Sequence, residues 1–415
     1  MKIAIIGAGI SGLSTAYLLS SKHEVVVFEA GDRLGGHTAT VDVDWRGSHY
    51  AIDTGFIVHN DRTYPHFNRL MSELGVETRD SEMSFSVSCD QTGLEYAGSN
   101  INTLFAQRKN MVSPYFLKMV RDIVRFNKEA QQDLESGQIS EAYTLGDYLQ
   151  SRHYSDGFIR HYLIPMGAAI WSASTKVMFG FPLLFFIRFF KNHGLLQVKD
   201  RPQWRTVVGG SSSYIEPLTR SFASNIRLSS AVTKIHRNAE GVVIQSPAGS
   251  EQFDQVVVAC HSDQALAMLS DPSQSESGIL AAIPYQMNDV CLHTDESLLP
   301  RSRRAWSSWN YLLEEYEQEQ ATLTYNMNIL QGLDCADTFC VTLNRNERID
   351  PVKVIGQYQY AHPVFTLDSV AAQQRWSEIN GVNNTWFCGA YWRNGFHEDG
   401  VHSALRVAEG MGVSW

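Results

Sequence analysis

Three glycines between two β-branched runs restrict this chain more than any other feature. KIAIIG reads as a short buried strand and EVVVFEA as a second. Residues Ile10–Ser21 between them carry helical spacing, so the first ~30 residues form a β-α-β unit. The stretch Gly7-Ala8-Gly9-Ile10-Ser11-Gly12 fits GxGxxG where the strand ends and the helix opens. Gly7 permits a tight turn, Gly9 lets the backbone approach a pyrophosphate, and Gly12 allows the helix to lie close on the strand. Ser11 stands in the first helical turn, whose N–H groups and dipole stabilise phosphate charge. Glu29 ends the second strand, where a carboxylate accepts hydrogen bonds from ribose hydroxyls and repels a 2′-phosphate. These residues predict a dinucleotide site and disfavour NADP.

The 415 residues are enough for two or three units. A net charge of -10 argues against nucleic acid as a partner, since phosphate neutralisation needs concentrated Lys and Arg. The charge is uneven, with 14 Lys and Arg against 8 Asp and Glu between Ile101 and Arg205. That basic middle fits either an anionic ligand or surface, or a solvated helix face. Cys89, Cys260, Cys291, Cys335, Cys340 and Cys388 form no CxxC pair, and the histidines form no HExxH, so a disulfide framework and a metal site are both unsupported. No window reaches the ~20 apolar residues of a spanning helix. The expectation is a cytoplasmic protein that is soluble or at most membrane-peripheral.

Along the chain, TATVDVDWRGSHYAID reads as a hairpin turning at Arg46-Gly47, and RTYPHFNRLMSELGV as a helix ending at Gly75. From Ile101 to Gln197 the pattern is mostly helical, Asn225–His261 returns to strands, and Met287 to about Thr342 reads as further strands. The order predicts interleaved domains. One is a nucleotide domain from 1–75, 205–270 and 381–415. The other is a substrate domain from 76–204, with a helical insertion, and 271–380.

The continuation Asp32-Arg33-Leu34-Gly35-Gly36-His37 places a second glycine pair beside the nucleotide strand. Here the chain resembles the flavin amine-oxidase superfamily, whose members run from the ribose acid into a D-R-x-G-G-R/H loop. Asp53-Thr54-Gly55, Val207-Val208-Gly209-Gly210, Val256-Val257-Val258-Ala259 and Phe387-Cys388-Gly389 follow in the family's order. The resemblance implies an α/β (α+β overall) fold with a glutathione-reductase-like Rossmann FAD domain and a discontinuous substrate domain of antiparallel sheet plus helices. It implies FAD contacts at Gly7, Gly9, Ser11, Gly12, Glu29, Arg33, Gly35, Gly36, His37, Thr54, Gly55 and Gly389. Gly400 and Val401 then sit at a helix N-terminus near the flavin pyrimidine, where the dipole stabilises negative charge. With no cysteine aligned to the family's covalent-flavin position, the FAD is expected to be non-covalent.

Where the family places an aromatic cage residue, this chain has His397. It stands as candidate acid/base or as a hydrogen-bonding loop residue. Tyr391 and Trp392 either wall the pocket or pack as core. Phe179–Phe190 holds six Phe, with Phe185 and Phe186 at its centre, and reads as a buried helix, an acyl-chain lining or a membrane-resting face. The basic helix carrying Lys118, Arg121, Arg125 and Lys128 favours the lipid readings. DTGFIVHNDRTYP and FHEDGVHS further resemble a bacterial branch of the superfamily associated with cyclopropane-fatty-acid-synthase-like genes. That resemblance implies an oxidoreductase removing hydride from a C–H bond of a lipid or fatty acyl chain. The rivals are an amine oxidase on a small amine, a flavin-dependent double-bond isomerase and a non-catalytic FAD-dependent scaffold.

Overall fold

The computed structural model describes residues 1–415 except Val198 and Glu317. At its centre is a five-stranded parallel sheet in the order Ile226–Arg227, Glu24–Phe28, Lys2–Ile6, Gln255–Val258, Thr385–Phe387. The inner strands are apolar on both faces because both are covered. Ile3, Ile5, Val25, Val27 and Val257 face the helices Ile10–Leu19 and His397–Gly410. Ala4, Ile6, Val26, Phe28 and Val258 face the opposite way, toward the antiparallel strands Lys234–Asn238, Gly241–Ser246 and Gly249–Phe253.

The hairpin forms as read, Thr40–Trp45 pairing with Ser48–Asp53. Arg46 (φ 49°) and Gly47 (φ 83°) both turn left-handed, as a two-residue hairpin loop requires. The helix Pro65–Leu74 begins on its proline and stops at Gly75, φ 68°.

A second, seven-stranded sheet runs Val354–Pro363, Tyr285–His293, Cys340–Leu343, Leu323–Asn326, Trp309–Leu313, Phe85–Cys89, Leu94–Ala97. Every pairing is antiparallel except that of Trp309–Leu313 with Phe85–Cys89, two segments remote in sequence. Its edge strand Val354–Pro363 extends the strand-rich stretch beyond Thr342. Between the two sheet segments the chain is helical. Pro114–Ser136, Ile164–Trp171 and Leu183–Asn192 enclose a core containing Phe126, Phe158, Phe181, Phe186 and Phe190. Among the described residues no helix is long and apolar enough to cross a membrane.

Candidate active site

The strand-to-helix turn is built by close approach. Gly7 has φ 103°, and a Cβ there would stand 2.7 Å from the Ala259 carbonyl oxygen; one on Gly12 would stand 1.9 Å from that of Gly7. Gly9 instead faces open space, and the helix it begins has no side-chain cap. Its first N–H groups are left for an anion. Glu29 is drawn onto this turn, its carboxylate accepting from the Ala8 and Gly31 N–H groups at 2.8 Å each. The second glycine loop docks directly on the first. Gly35 N–H donates to Ala8 at 2.8 Å, and Gly36 (φ 59°) lies so near that its Cβ would be 3.2 Å from Gly9 Cα. Arg33 braces that loop from within, donating to the carbonyls of Gly36 (2.8 Å) and Thr38 (3.1 Å), so its guanidinium is engaged by backbone.

Asp53, Thr54 and Gly55 carry the hairpin into the same region. A Cβ on Gly55 would meet the His37 carbonyl oxygen at 2.1 Å, and the Thr54 hydroxyl meets Tyr360 Oη at 2.9 Å. Asp53 is fully buried and accepts from Thr40 Oγ1 (2.6 Å) and from Ser211 N–H and Oγ (2.8 Å each). Burial pushes its carboxyl up to about 6 against those donors.

The closing helix approaches from the other side. A Cβ on Gly400 would lie 2.7 Å from Ile10 Cγ2 and 2.9 Å from Ser11 Oγ, so Gly400 lets two helices touch near their N-termini. Val401 is buried in the same core, and Gly389 N–H donates to Ser403 Oγ at 3.0 Å. The first turn carries two carboxylates. Asp399 accepts from Phe396 N–H at 2.9 Å, and burial pushes it up to about 6. Glu398 accepts from His66 Nδ1 (2.6 Å) and from the His66 and Phe67 N–H groups (3.3 and 2.9 Å), capping the Pro65–Leu74 helix from a distance.

His397 is enclosed. Its ring stacks on Phe56 at 3.6 Å and 12°, with Phe67 edge-on at 6.0 Å. Nε2 shares a 2.9 Å hydrogen bond with Thr38 Oγ1, which also bonds Tyr214 Oη. Burial, with the nearby His59, pushes its imidazolium down to about 3. At neutral pH it is a neutral hydrogen-bonding ring and a poor store for a proton.

His37 belongs to a cluster that sequence reasoning missed. Its ring lies 5.3 Å from His362, 5.2 Å from Tyr360 and 6.5 Å from His261, which stacks on Tyr285 at 4.3 Å. Burial and the neighbouring imidazoles hold His37 well below its ordinary range, and His362 at about 4. His37 Nε2 is buried without a hydrogen-bond partner among the described residues. A signal for His261 was present: it follows the Gln255–Val258 strand, and ligands of open parallel sheets bind beyond the strands' carboxyl ends. An orphaned imidazole nitrogen, an open Gly9 and an uncapped helix N-terminus together fit a dinucleotide pyrophosphate.

Other expected site residues lie elsewhere. Tyr391 and Trp392 are buried with Ile6, Phe28, Ile279 and Leu280, on the face of the parallel sheet opposite the His397 helix, and pack there as core. Phe186 is wholly enclosed, stacked on Phe190 at 4.0 Å, because it sits on the inner face of its helix. Phe185 is half-buried and stacks on Phe365 at 5.0 Å. Cys388 is buried beside Thr15, its thiol pushed up to about 11 by burial.

A two-glycine-loop cradle on a parallel sheet, closed by a C-terminal helix, defines a dinucleotide-binding flavoprotein fold. A family model for flavin containing amine oxidoreductases matches residues 10–304, and the chain belongs to that family. The dinucleotide is therefore FAD. A protein of Mycobacterium tuberculosis named "putative flavin-containing monoamine oxidase" is 22% identical over 326 residues, which is 74% of this chain and 65% of that protein. The match thus spans less than two thirds of that relative. Zeta-carotene desaturase from Capsicum annuum is 42% identical over 78 residues, 19% of this chain and 13% of that one. In fold, the chain is similar to a CLA-producing fatty acid isomerase from P. acnes, with a TM-score of 0.71, 15% identity, and 99% and 98% of the two chains covered.

Proposed function

We propose that this FAD-dependent oxidoreductase removes hydride from a C–H bond of a lipid or fatty acyl substrate. Bound FAD supplies the hydride acceptor. One observation carries the substrate class: a chain of aromatic rings leads from the inserted helix to the residue beside His397. Phe185 stacks on Phe365, Trp171 lies 6.2 Å from Phe185 and 4.8 Å from Phe189, and Phe189 stacks on Phe396 at 5.2 Å. Trp171 Nε1 also donates to the Asn394 carbonyl at 3.3 Å, fixing the helix to the loop. Packed rings beside the closing helix exclude water, which suits a hydrocarbon substrate. On this reading His37, Gly9 and the Ile10–Leu19 N-terminus hold the pyrophosphate. Glu29 holds the ribose, and His397 orients the site as a neutral hydrogen-bonding group.

The names of the relatives support three chemistries: amine oxidation, desaturation and fatty acid isomerisation. Anaerobic mixing of the FAD-loaded enzyme with a panel of fatty acyl substrates separates them. Persistent bleaching of the flavin is the expected result. Product without net bleaching would make it an isomerase, and bleaching by small amines alone would overturn the lipid reading. The core position of Cys388 supports a non-covalent cofactor, so acid denaturation is expected to release all of the FAD.

A further inference from the structure

The large apolar side chains left exposed by the fold are not spread evenly. Ile101, Met111, Val112, Tyr115, Leu117 and Val124 fall within one stretch, with Ile101, Val112 and Val124 at 77%, 81% and 60% exposure. The stretch comprises the short helix Ile101–Leu104, the turn Arg108–Val112 and the first half of the helix Pro114–Ser136. In that helix Phe116, Met119, Phe126 and Ala130 face the core, so Leu117, Arg121, Val124 and Lys128, at i, i+4, i+7 and i+11, form the outward stripe. Arg108 donates to the Asn102 and Phe105 carbonyls, which ties the turn to the short helix.

The charge along this stretch is mostly positive. Residues 101–128 hold Arg108, Lys109, Lys118, Arg121, Arg125 and Lys128 against the single acid Asp122, which is buried. Among them, Arg125 pairs with Glu129 at 2.9 Å. Arg121, Val124 and Lys128 also line a surface recess with Val120, Arg125, Gln132 and Glu129, the last paired to Arg125. Apolar side chains rimmed by cations, on a protein of net charge -10, complement an interface that is hydrocarbon within and anionic at its edge. A second copy of the chain fits poorly, because a two-fold contact would set these cations against themselves.

We propose that residues 101–128 form a docking face for an anionic bilayer. Ile101, Met111, Val112, Leu117 and Val124 enter the acyl boundary while Lys109, Lys118, Arg121 and Lys128 meet phosphate headgroups. This assigns the membrane contact to residues 101–128 and not to the helix Leu183–Asn192, whose side chains Leu183, Phe186, Ile187, Phe189 and Phe190 are buried. The proposal is independent of the substrate assignment.

The test is flotation of the FAD-loaded protein with vesicles of phosphatidylcholine alone or mixed with phosphatidylglycerol. Binding is expected to the mixed vesicles and to weaken with salt. Val112→Glu with Val124→Glu, and separately Lys118→Glu with Arg121→Glu and Lys128→Glu, should each lower partitioning by about tenfold or more, with FAD content unchanged. A fluorophore on Val124→Cys, in an otherwise wild-type surface, should shift to the blue on the mixed vesicles alone. Equal binding to both vesicle types, variants that bind like wild type, an unshifted fluorophore, or dimerisation abolished by the same substitutions would each overturn the proposal.

Discussion

At the residue scale the most informative side chain is His397, because its chemistry is set by what surrounds it. A histidine in a loop titrates near neutral pH, but this one is stacked, hydrogen-bonded to Thr38 and held at about 3 by burial. His397→Phe keeps the stacking on Phe56 and removes the hydrogen bond. It is expected to retain FAD, lower kcat roughly 10-fold to 100-fold by loosening the site, and leave the pH profile of kcat between 6 and 8 unchanged. Loss of an inflection in that range would identify His397 as a titrating base instead. The glycines were legible at this scale, since Gly7, Gly12 and Gly400 each stand where a Cβ would strike backbone or side chain. Their spacing alone encodes that demand.

At the element scale, the hairpin at Thr40–Asp53, the helix Pro65–Leu74 and the first β-α-β unit were legible because turn chemistry and periodicity are local. What was not legible is how elements cap one another. Glu398 satisfies the N-terminus of a helix over 300 positions earlier in the chain, with a buried carboxylate. Glu398→Ala leaves the His66 and Phe67 N–H groups without that acceptor and is expected to cost about 1–3 kcal/mol by urea denaturation. Glu398→Gln should recover part of that loss. Hydrogen exchange should accelerate at the start of Pro65–Leu74 in the alanine variant. An unchanged exchange pattern would show that the cap contributes nothing. The Phe-rich helix shows a related limit: its composition fitted core, tunnel or membrane, and only its packing distinguished Phe186 from Phe185.

At the scale of the whole molecule, folding buries imidazoles in number. His59, His161, His193, His293 and His362 are pushed down to about 4 and His397 to about 3, in each case chiefly by burial. In the unfolded chain they titrate near 6.5, so between about 6.5 and 4 the unfolded state binds more protons. Stability is therefore full above that interval and falls as the pH drops through it, by ~1.4 kcal/mol per pH unit for each such group. Asp53 and Asp399, raised to about 6, take up protons first in the folded state and oppose this, but two carboxyls do not offset six imidazoles. The urea midpoint of the FAD-loaded protein should drop clearly from pH 7.5 to pH 5. A midpoint that holds or rises would mean that these rings are solvated.

By itself, the sequence determined the β-α-β start, the two glycine loops, the ribose acid and the closing helix, and hence the flavin fold. These are short-range demands, each written in the residues that meet it. Only the tertiary structure decided which candidates share a site. His37, His261 and His362 come together from three separate segments, while Tyr391 and Trp392, six and five residues before His397, fall on the other side of a sheet. Burial is a property of the assembled layers, so no local pattern reports it. Burial also lowers the basicity of His397, the property on which its reading as a proton acceptor depends.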